Sequence, residues 1–320
     1  GELVTLYDAL ANVYTKKLNA SPLIDGFALA TDKLIADKIR THLESRGEGE
    51  RFISVFATLT APTFLSFLQE EEIALLELVQ SGQEKSKAIA EHQQKYFWMR
   101  NNYVKDHVLD EEFFAERFDR ATREDAAAKM AELVRAPQVH AEAKARLMDE
   151  IALPQDIRTL LTITDDFNAW QDERKKGTFL ATHYFSVLLE EFARRTSYTV
   201  EELKYAFPPE MGKVLSGEIA RQELQQRFEY CMIVWVKDAY DVVTDQRLID
   251  RLDAIGTGAV QHVEELKGFA AQLGVVRGKV KVLMSAEEVH KIEEGDVLVS
   301  VMTRPDYVSA MKKAAVQAGS

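Results

Sequence analysis

The stretch Gly268–Ala315, GFAAQLGVVRGKVKVLMSAEEVHKIEEGDVLVSVMTRPDYVSAMKKAA, decides how this chain is read. Val275–Val276, Lys279–Leu283 and Asp296–Val301 are short, apolar, β-branched runs punctuated by Gly274, Gly278 and Gly295, which marks them as strands between tight turns. Glycine permits the backbone bends that such turns need. Pro305 then marks a loop, and Met311 with Ala314-Ala315 falls in a short helical pattern. Taken alone, this is a glycine turn, strands, a proline-containing loop and a helix, an order that many α/β or β-rich domains satisfy.

Upstream, as far as about Arg227, the period is helical nearly everywhere. Leu3, Leu6, Tyr7, Leu10, Val13 and Tyr14 recur at helical spacing before Ser21-Pro22. A second helix is expected from Asp25 to Leu43, and a third begins at Phe52 and is interrupted by Pro62. Phe64 to Val79 continues as a helix, and Asp110 is placed to cap a helix that starts at Glu111. Pro137 and Pro154 mark further breaks; a long helix covers Pro154 to Arg195, with a possible split at Gly177. Thr199-Val-Glu-Glu202 reads as a capping box for another helix, which Pro208-Pro209 ends.

After Arg227 the period changes. Tyr230–Val236 and Tyr240–Val243 are β-type runs joined by Lys237-Asp238-Ala239, which is a hairpin pattern. The expected architecture is therefore mainly α: a large multi-helix domain over 1–227, a small β-hairpin connector over 228–265, and a partial α/β domain over 266–320.

Composition narrows the function classes. A chain of 320 residues is long enough for two cores. Its formal net charge of −12 argues against nucleic acid as a partner, because binding phosphate backbones needs clustered Lys and Arg. The single cysteine, Cys231, precludes an intrachain disulfide or a cysteine metal cluster, and its place in the apolar run CMIVWV marks it as structural. No apolar run approaches the roughly 20 residues of a membrane span, and GELVTLYDAL is no signal peptide, so the expected location is cytoplasmic, with no membrane partner. Gly1 at the start and Gly319-Ser320 at the end give the chain the look of a piece of a longer polypeptide.

With the C-terminal motifs in view, Gly274-Val275, Gly278-Lys279-Val280, Glu294–Val299, Met302–Tyr307 and Met311 with Ala314-Ala315 together resemble the opening of the swivelling phosphohistidine domain of phosphoenolpyruvate-utilising enzymes. The family includes phosphoenolpyruvate synthase and pyruvate phosphate dikinase. Glu91–Tyr103 and Leu188–Met211 resemble the helical region that precedes that domain in synthase-like proteins. The resemblance implies a phosphotransferase that relays a phosphoryl group through a histidine, with ATP and Mg²⁺ used by a full-length relative and a small molecule as acceptor. In the family an apolar strand, a glycine pair and a Thr-Ser-His or Thr-Cys-His signature follow; Val316–Ser320 shows none of these. His42, His92, His107, His140, His183, His262 and His290 all lie upstream of the matching position, so none takes the phosphocarrier role by alignment. His290 reads as an exposed loop or helix residue.

Two further segments could carry chemistry. Arg100, with its planar donors, could bind an anion or a nucleotide edge together with Asn101 and Asn102. The structural alternative has Tyr96, Phe97 and Trp98 anchoring a helix in the core while Arg100 and the asparagines close its end, and this is the favoured account. Asp165-Asp166, Asp172-Glu173 and His183 have the residue types of a divalent-metal site. Arg174, Lys175 and Lys176 follow at once, however, and Asp172 can pair with Lys176 along the helix, so a solvated face is expected instead. No phosphate-cradling GxxxxGK[ST] loop, HExxH or ordered Ser-His-Asp set occurs. The expectation is that this chain alone holds no catalytic, cofactor or metal site, and that the region after Lys267 is its least ordered part. A non-catalytic helical ligand-binding or protein-interaction module is the rival account, and the oligomeric state is left open.

Overall fold

The structure is a computed structural model that describes residues 1–18, 21–123, 125–237, 239–257, 276–283, 286–300 and 307–319. The expected loop at 302–306, Val275 and Asp238 lie outside the described residues, as do 268–274, 284–285, 301 and 320 of the region expected to be least ordered. Contacts group Gly1–Gly49 with Thr58–Lys267 in one unit, and Glu50–Ala57 with Gly268–Ser320 in a second.

The architecture is mainly α. Helices α1 (Glu2–Leu18), α2 (Ser21–Ser45), α3 (Phe52–Thr60), α4 (Phe67–Gln80), α5 (Lys85–Tyr96), α6 (Glu111–Arg123), α7 (Ala126–Glu150) and α8 (Gln155–Arg195) run in order. They are followed by α9 (Val200–Leu203), α10 (Met211–Ser216) and α11 (Arg221–Glu229). The break at Pro62 is observed, with Ser66 capping α4 through a reciprocal bond with Gln69. Asp110 caps α6 by accepting the Phe113 N–H at 2.9 Å.

Two expected breaks are absent. Pro137 lies inside α7, which continues from Ala126 to Glu150. Proline removes one helical hydrogen bond, yet both halves of α7 are pinned from outside. Before Pro137, Lys129 reaches Glu72 at 2.6 Å; after it, Lys144 reaches Asp165 at 2.5 Å and the His140 ring meets the Pro62 carbonyl at 2.8 Å. Gly177 does not split α8, which runs for 41 residues, about 60 Å. Glycine costs about 1 kcal/mol in a helix interior, and here tertiary contacts on either side outweigh it. Phe179 is buried in the core, and its carbonyl accepts the Asn101 amide at 2.9 Å.

The helix α8 serves as the spine of the first unit. Its C-terminal half packs Leu189 and Phe192 against Leu3 and Tyr7 of α1 and against Leu203, Met211 and Leu224 of the short helices beyond. Further back along α8, Phe179 joins Phe67, Ile89, Trp98 and Phe114 in a second cluster drawn from α4, α5 and α6. The turn between α8 and α9 is held by the expected Thr199–Glu202 capping box, although α9 is only one turn long. Glu202 then ties in α11, accepting from Arg221 at 2.9 Å and Gln225 at 2.8 Å. One turn on, the buried Arg227 binds Glu210 at 2.7 Å and Glu223 at 2.5 Å.

Strands β1 (Met232–Val236) and β2 (Ala239–Val243) form an antiparallel hairpin, with Trp235 opposite Tyr240 and Ile233 opposite Val242. Its first strand starts two residues later than the sequence pattern implied, because Tyr230 still closes α11 by bonding the Gln226 carbonyl at 3.0 Å. Helix α12 (Gln246–Thr257) follows.

The second unit contains a three-stranded parallel sheet in the order β3 (Val280–Leu283), β4 (Val297–Ser300), β5 (Val316–Gly319). Leu283, Ile292, Leu298, Tyr307 and Ala310 form its core, the last of these from α13 (Val308–Lys313). Strand β5 departs from the sequence expectation, in which Val316–Ser320 shows no apolar strand: VQAG carries little β propensity. Backbone pairing makes it one, since Val297 registers with Val316 and the Ala315 N–H bonds the Asp296 carbonyl at 2.8 Å.

Gly278 and Gly295 explain the glycines of the decisive stretch. A Cβ on Gly278 would stand 2.3 Å from the Gly295 carbonyl oxygen, and Gly295 itself has φ +84°. Gly278→Ala is expected to destabilise the second unit by about 1–3 kcal/mol, whereas Gly212→Ala, where a Cβ meets nothing within 4 Å, should be neutral or stabilising. Urea titration followed by hydrogen exchange in β3 and β4 reads the difference, and equal stability of the two variants contradicts it.

A pH effect follows from Glu202. Burial raises its carboxyl pKa, but hydrogen bonds from Arg221, Thr199 and Gln225 outweigh burial and hold it at about 2, against the ordinary glutamate value of 4.5. The folded value lies below the unfolded one, so this stabilisation is complete above about pH 4.5 and is lost as pH falls through about 2. Glu202→Gln should lower Tm at neutral pH, and the gap to wild type should shrink as pH falls towards 2; a constant gap contradicts the assignment.

Candidate functional site

The aromatic run after α5 builds a closed loop on α8. Phe97 caps α5 by bonding the Gln93 carbonyl at 2.9 Å, and the Leu109 N–H returns to the Phe97 carbonyl at 2.8 Å. Gln93 in turn donates to the Leu109 carbonyl at 2.9 Å, so the loop closes on the helix that launches it. Tyr96, Trp98 and Met99 are buried in the aromatic cluster, and Phe97 packs on its side.

Asn101 is 1% exposed and has both ends of its amide engaged. Its Nδ2 donates to the Phe179 carbonyl at 2.9 Å and its Oδ1 accepts the His107 N–H at 2.6 Å. Asn102 turns the loop by accepting the Val104 and Lys105 N–H groups at 2.9 and 2.8 Å. Its carbonyl accepts the Thr182 hydroxyl at 3.0 Å. Arg100 is exposed, with its guanidinium 4.5 Å from the Phe113 ring centre. The buried Asn101 and the exposed Arg100 thus share no solvent-facing surface.

The acidic set on α8 is dispersed. Asp165 takes Lys144 at 2.5 Å, and Asp166 is exposed. Asp172 accepts the Phe67 N–H at 2.7 Å and so helps to close the start of α4. Burial raises the pKa of Asp172, with the Phe67 N–H and Lys175 opposing and Glu173 and Glu70 adding to it. The expected Asp172–Lys176 pair is not formed: Lys176 reaches Glu70 at 3.0 Å and Glu173 at 3.2 Å instead, because Asp172 is taken by the α4 backbone. Among the described residues, no group of three or more His, Cys, Asp or Glu side chains could hold a metal ion.

Two histidine pairings had no signal in the sequence, since their partners lie 77 and 21 residues away. His183 Nδ1 meets Asp106 Oδ2 at 2.9 Å, with the ring edge-on to Phe97 at 4.6 Å. A carboxylate on Nδ1 fixes the proton there and leaves Nε2 as the basic nitrogen. His92 Nε2 meets Glu71 Oε1 at 2.7 Å inside the core, and Arg117 reaches the same oxygen at 2.5 Å. The His42 ring meets the Ile151 carbonyl at 2.8 Å. His107 and His290 are exposed, and His262 lies outside the described residues. No helix among the described residues is long and apolar enough to cross a membrane.

Loop closure makes a prediction. Asn101→Ala removes the partner of the His107 N–H and one donor to the carbonyl of the buried Phe179, and should cost about 1–3 kcal/mol. Arg100→Ala removes an exposed cation–π contact worth about 0.5–1 kcal/mol. Equilibrium unfolding of both variants ranks them, and a larger loss for Arg100→Ala contradicts the assignment.

No family model matches the chain. Among curated proteins, the probable phosphoenolpyruvate synthase of Pyrococcus abyssi is 38% identical over 108 residues, covering 31% of this chain and 13% of that protein. The phosphoenolpyruvate synthase of Pyrococcus furiosus is 41% identical over 91 residues, covering 26% of this chain and 11% of that protein. The probable phosphoenolpyruvate synthase of Archaeoglobus fulgidus is 58% identical over 50 residues, 16% of this chain and 7% of that protein. The matched stretches thus span about an eighth or less of each relative's length. Over them, the chain is related to the phosphoenolpyruvate-utilising enzymes.

Proposed function

We propose that this chain supplies the helical region and the opening of the swivelling phosphohistidine domain of a phosphoenolpyruvate-synthase-like phosphotransferase. The observation that carries the reading is the identity to named phosphoenolpyruvate synthases, 38% over 108 residues and 58% over 50. The parallel β3–β4–β5 sheet, turned by Gly278 and Gly295 in the stretch that resembles the phosphohistidine domain, supports it.

In this reading the phosphoryl group is carried by a histidine beyond Ser320. A neutral imidazole nitrogen attacks phosphorus, the bond from phosphorus to the donor oxygen breaks, and a phosphorus–nitrogen bond forms. Such transfers depend on positioning and on neutralising charge, which Mg²⁺ with Lys or Arg supplies. Asp165, Asp172 and Glu173 of α8 do not fit that ion, being engaged by Lys144, by the Phe67 N–H and by Lys176. ATP, Mg²⁺ and the acceptor, a small molecule, therefore belong to the rest of the longer protein, and a cytoplasmic location goes with this reading. The described histidines fit other roles: His42, His92, His140 and His183 are held by protein partners.

The test uses the natural polypeptide that contains this chain and whatever its gene encodes after Ser320. Incubated with phosphoenolpyruvate, it should yield acid-labile phosphohistidine at a position beyond Ser320, while this chain alone should yield none. Label on any of the seven histidines here, or a stop codon directly after Ser320, would overturn the proposal.

A further inference from the structure

In a chain of net charge −12, one small cleft brings together two arginines and a lysine. It opens between α4, α6 and α7, with a volume of about 130 Å³. Leu75, Leu76 and Ala121 form a buried apolar floor. Arg117, Arg120 and Lys129 line it together with Glu72.

The three cations are held differently. Arg117 is fixed from behind: one Nη lies 2.5 Å from Glu71 Oε1, and Glu71 is 1% exposed and braced by His92 at 2.7 Å. A guanidinium has five N–H donors in a planar fork, so most of those on Arg117 remain for the cleft. Lys129 meets Glu72 at 2.6 Å. Arg120, one helical turn from Arg117 on α6, is exposed and makes no ion pair or hydrogen bond among the described residues. Arg120 thus brings a guanidinium with no counter-carboxylate among the described residues to the rim of an apolar floor.

We propose that this cleft is a binding site for a phosphate-type oxyanion, carried by Arg117, Arg120 and Lys129. Its volume suits a single tetrahedral group. Two guanidinium forks on one helix face match several oxygens at once, which a halide does not offer. Arg117, already immobilised by Glu71, loses little side-chain freedom on binding. The assignment is independent of the phosphohistidine relay, because it concerns only residues of α4, α6 and α7.

Isothermal titration of the intact chain with inorganic phosphate, against sodium chloride at matched ionic strength, tests it. Wild type should bind phosphate saturably at millimolar concentration and show no such heat with chloride. Arg120→Gln should weaken binding at least tenfold, Arg120→Lys should fall between, and Arg195→Gln, an exposed arginine on α8, should leave it unchanged. Displacement of phosphate by glycerol phosphate assigns the site to phosphate esters, and failure to displace assigns it to free phosphate; both uphold an oxyanion site. Absence of saturable binding, or equal affinity in wild type and Arg120→Gln, overturns it.

Discussion

Everything described in the first unit leans on the continuity of α8. A helix of 41 residues gains little from its own propensity, and Gly177 in its middle weakens it further. Its order comes from outside. Two segments distant in sequence make three bonds with it: Asn101 to the Phe179 carbonyl, Thr182 to the Asn102 carbonyl, and the Phe67 N–H to Asp172. The loop after α5 and the start of α4 are fixed by the same contacts, so spine and loop stabilise one another. This reciprocity accounts for the buried Asn101 beside the aromatic cluster, both ends of whose amide are satisfied by backbone groups of other segments.

The second unit rests on a different constraint, the close approach of Gly278 to the Gly295 carbonyl. That approach lets β3 and β4 start side by side, with Val297 N–H bonding the Lys279 carbonyl at 2.9 Å, and the Gly295 N–H bonding the Lys313 carbonyl at the end of α13. A short parallel sheet follows from one turn and one helix. The glycines that mark the family resemblance are therefore also what the local fold requires.

Much of this was legible in the sequence, and the rest was not for physical reasons. Helical periodicity, the Thr199–Glu202 capping box, the Asp110 cap and the hairpin depend on neighbours within a few residues, and each could be read locally. The continuity of α7 through Pro137 and of α8 through Gly177 depends on Asp165, Pro62 and Asn101, which are remote in sequence. Strand β5 has the composition of a turn and becomes a strand only through its partner β4. The same holds for candidate sites. The acidic residues of α8 share a helix, yet Asp165 and Asp172 are claimed by different neighbours. The pairs Asp106–His183 and Glu71–His92 carry no spacing that a reader of the chain could have used.

The central claim, that external contacts make α8 one continuous spine through Gly177, is tested most directly by native-state hydrogen exchange along that helix. Amides from Gly177 to Ala181 should be protected as strongly as those near Leu161 and Leu189, where the core clusters bury the helix. Fast exchange confined to the residues around Gly177, with slow exchange on both sides, would mean that α8 is two helices joined by a hinge.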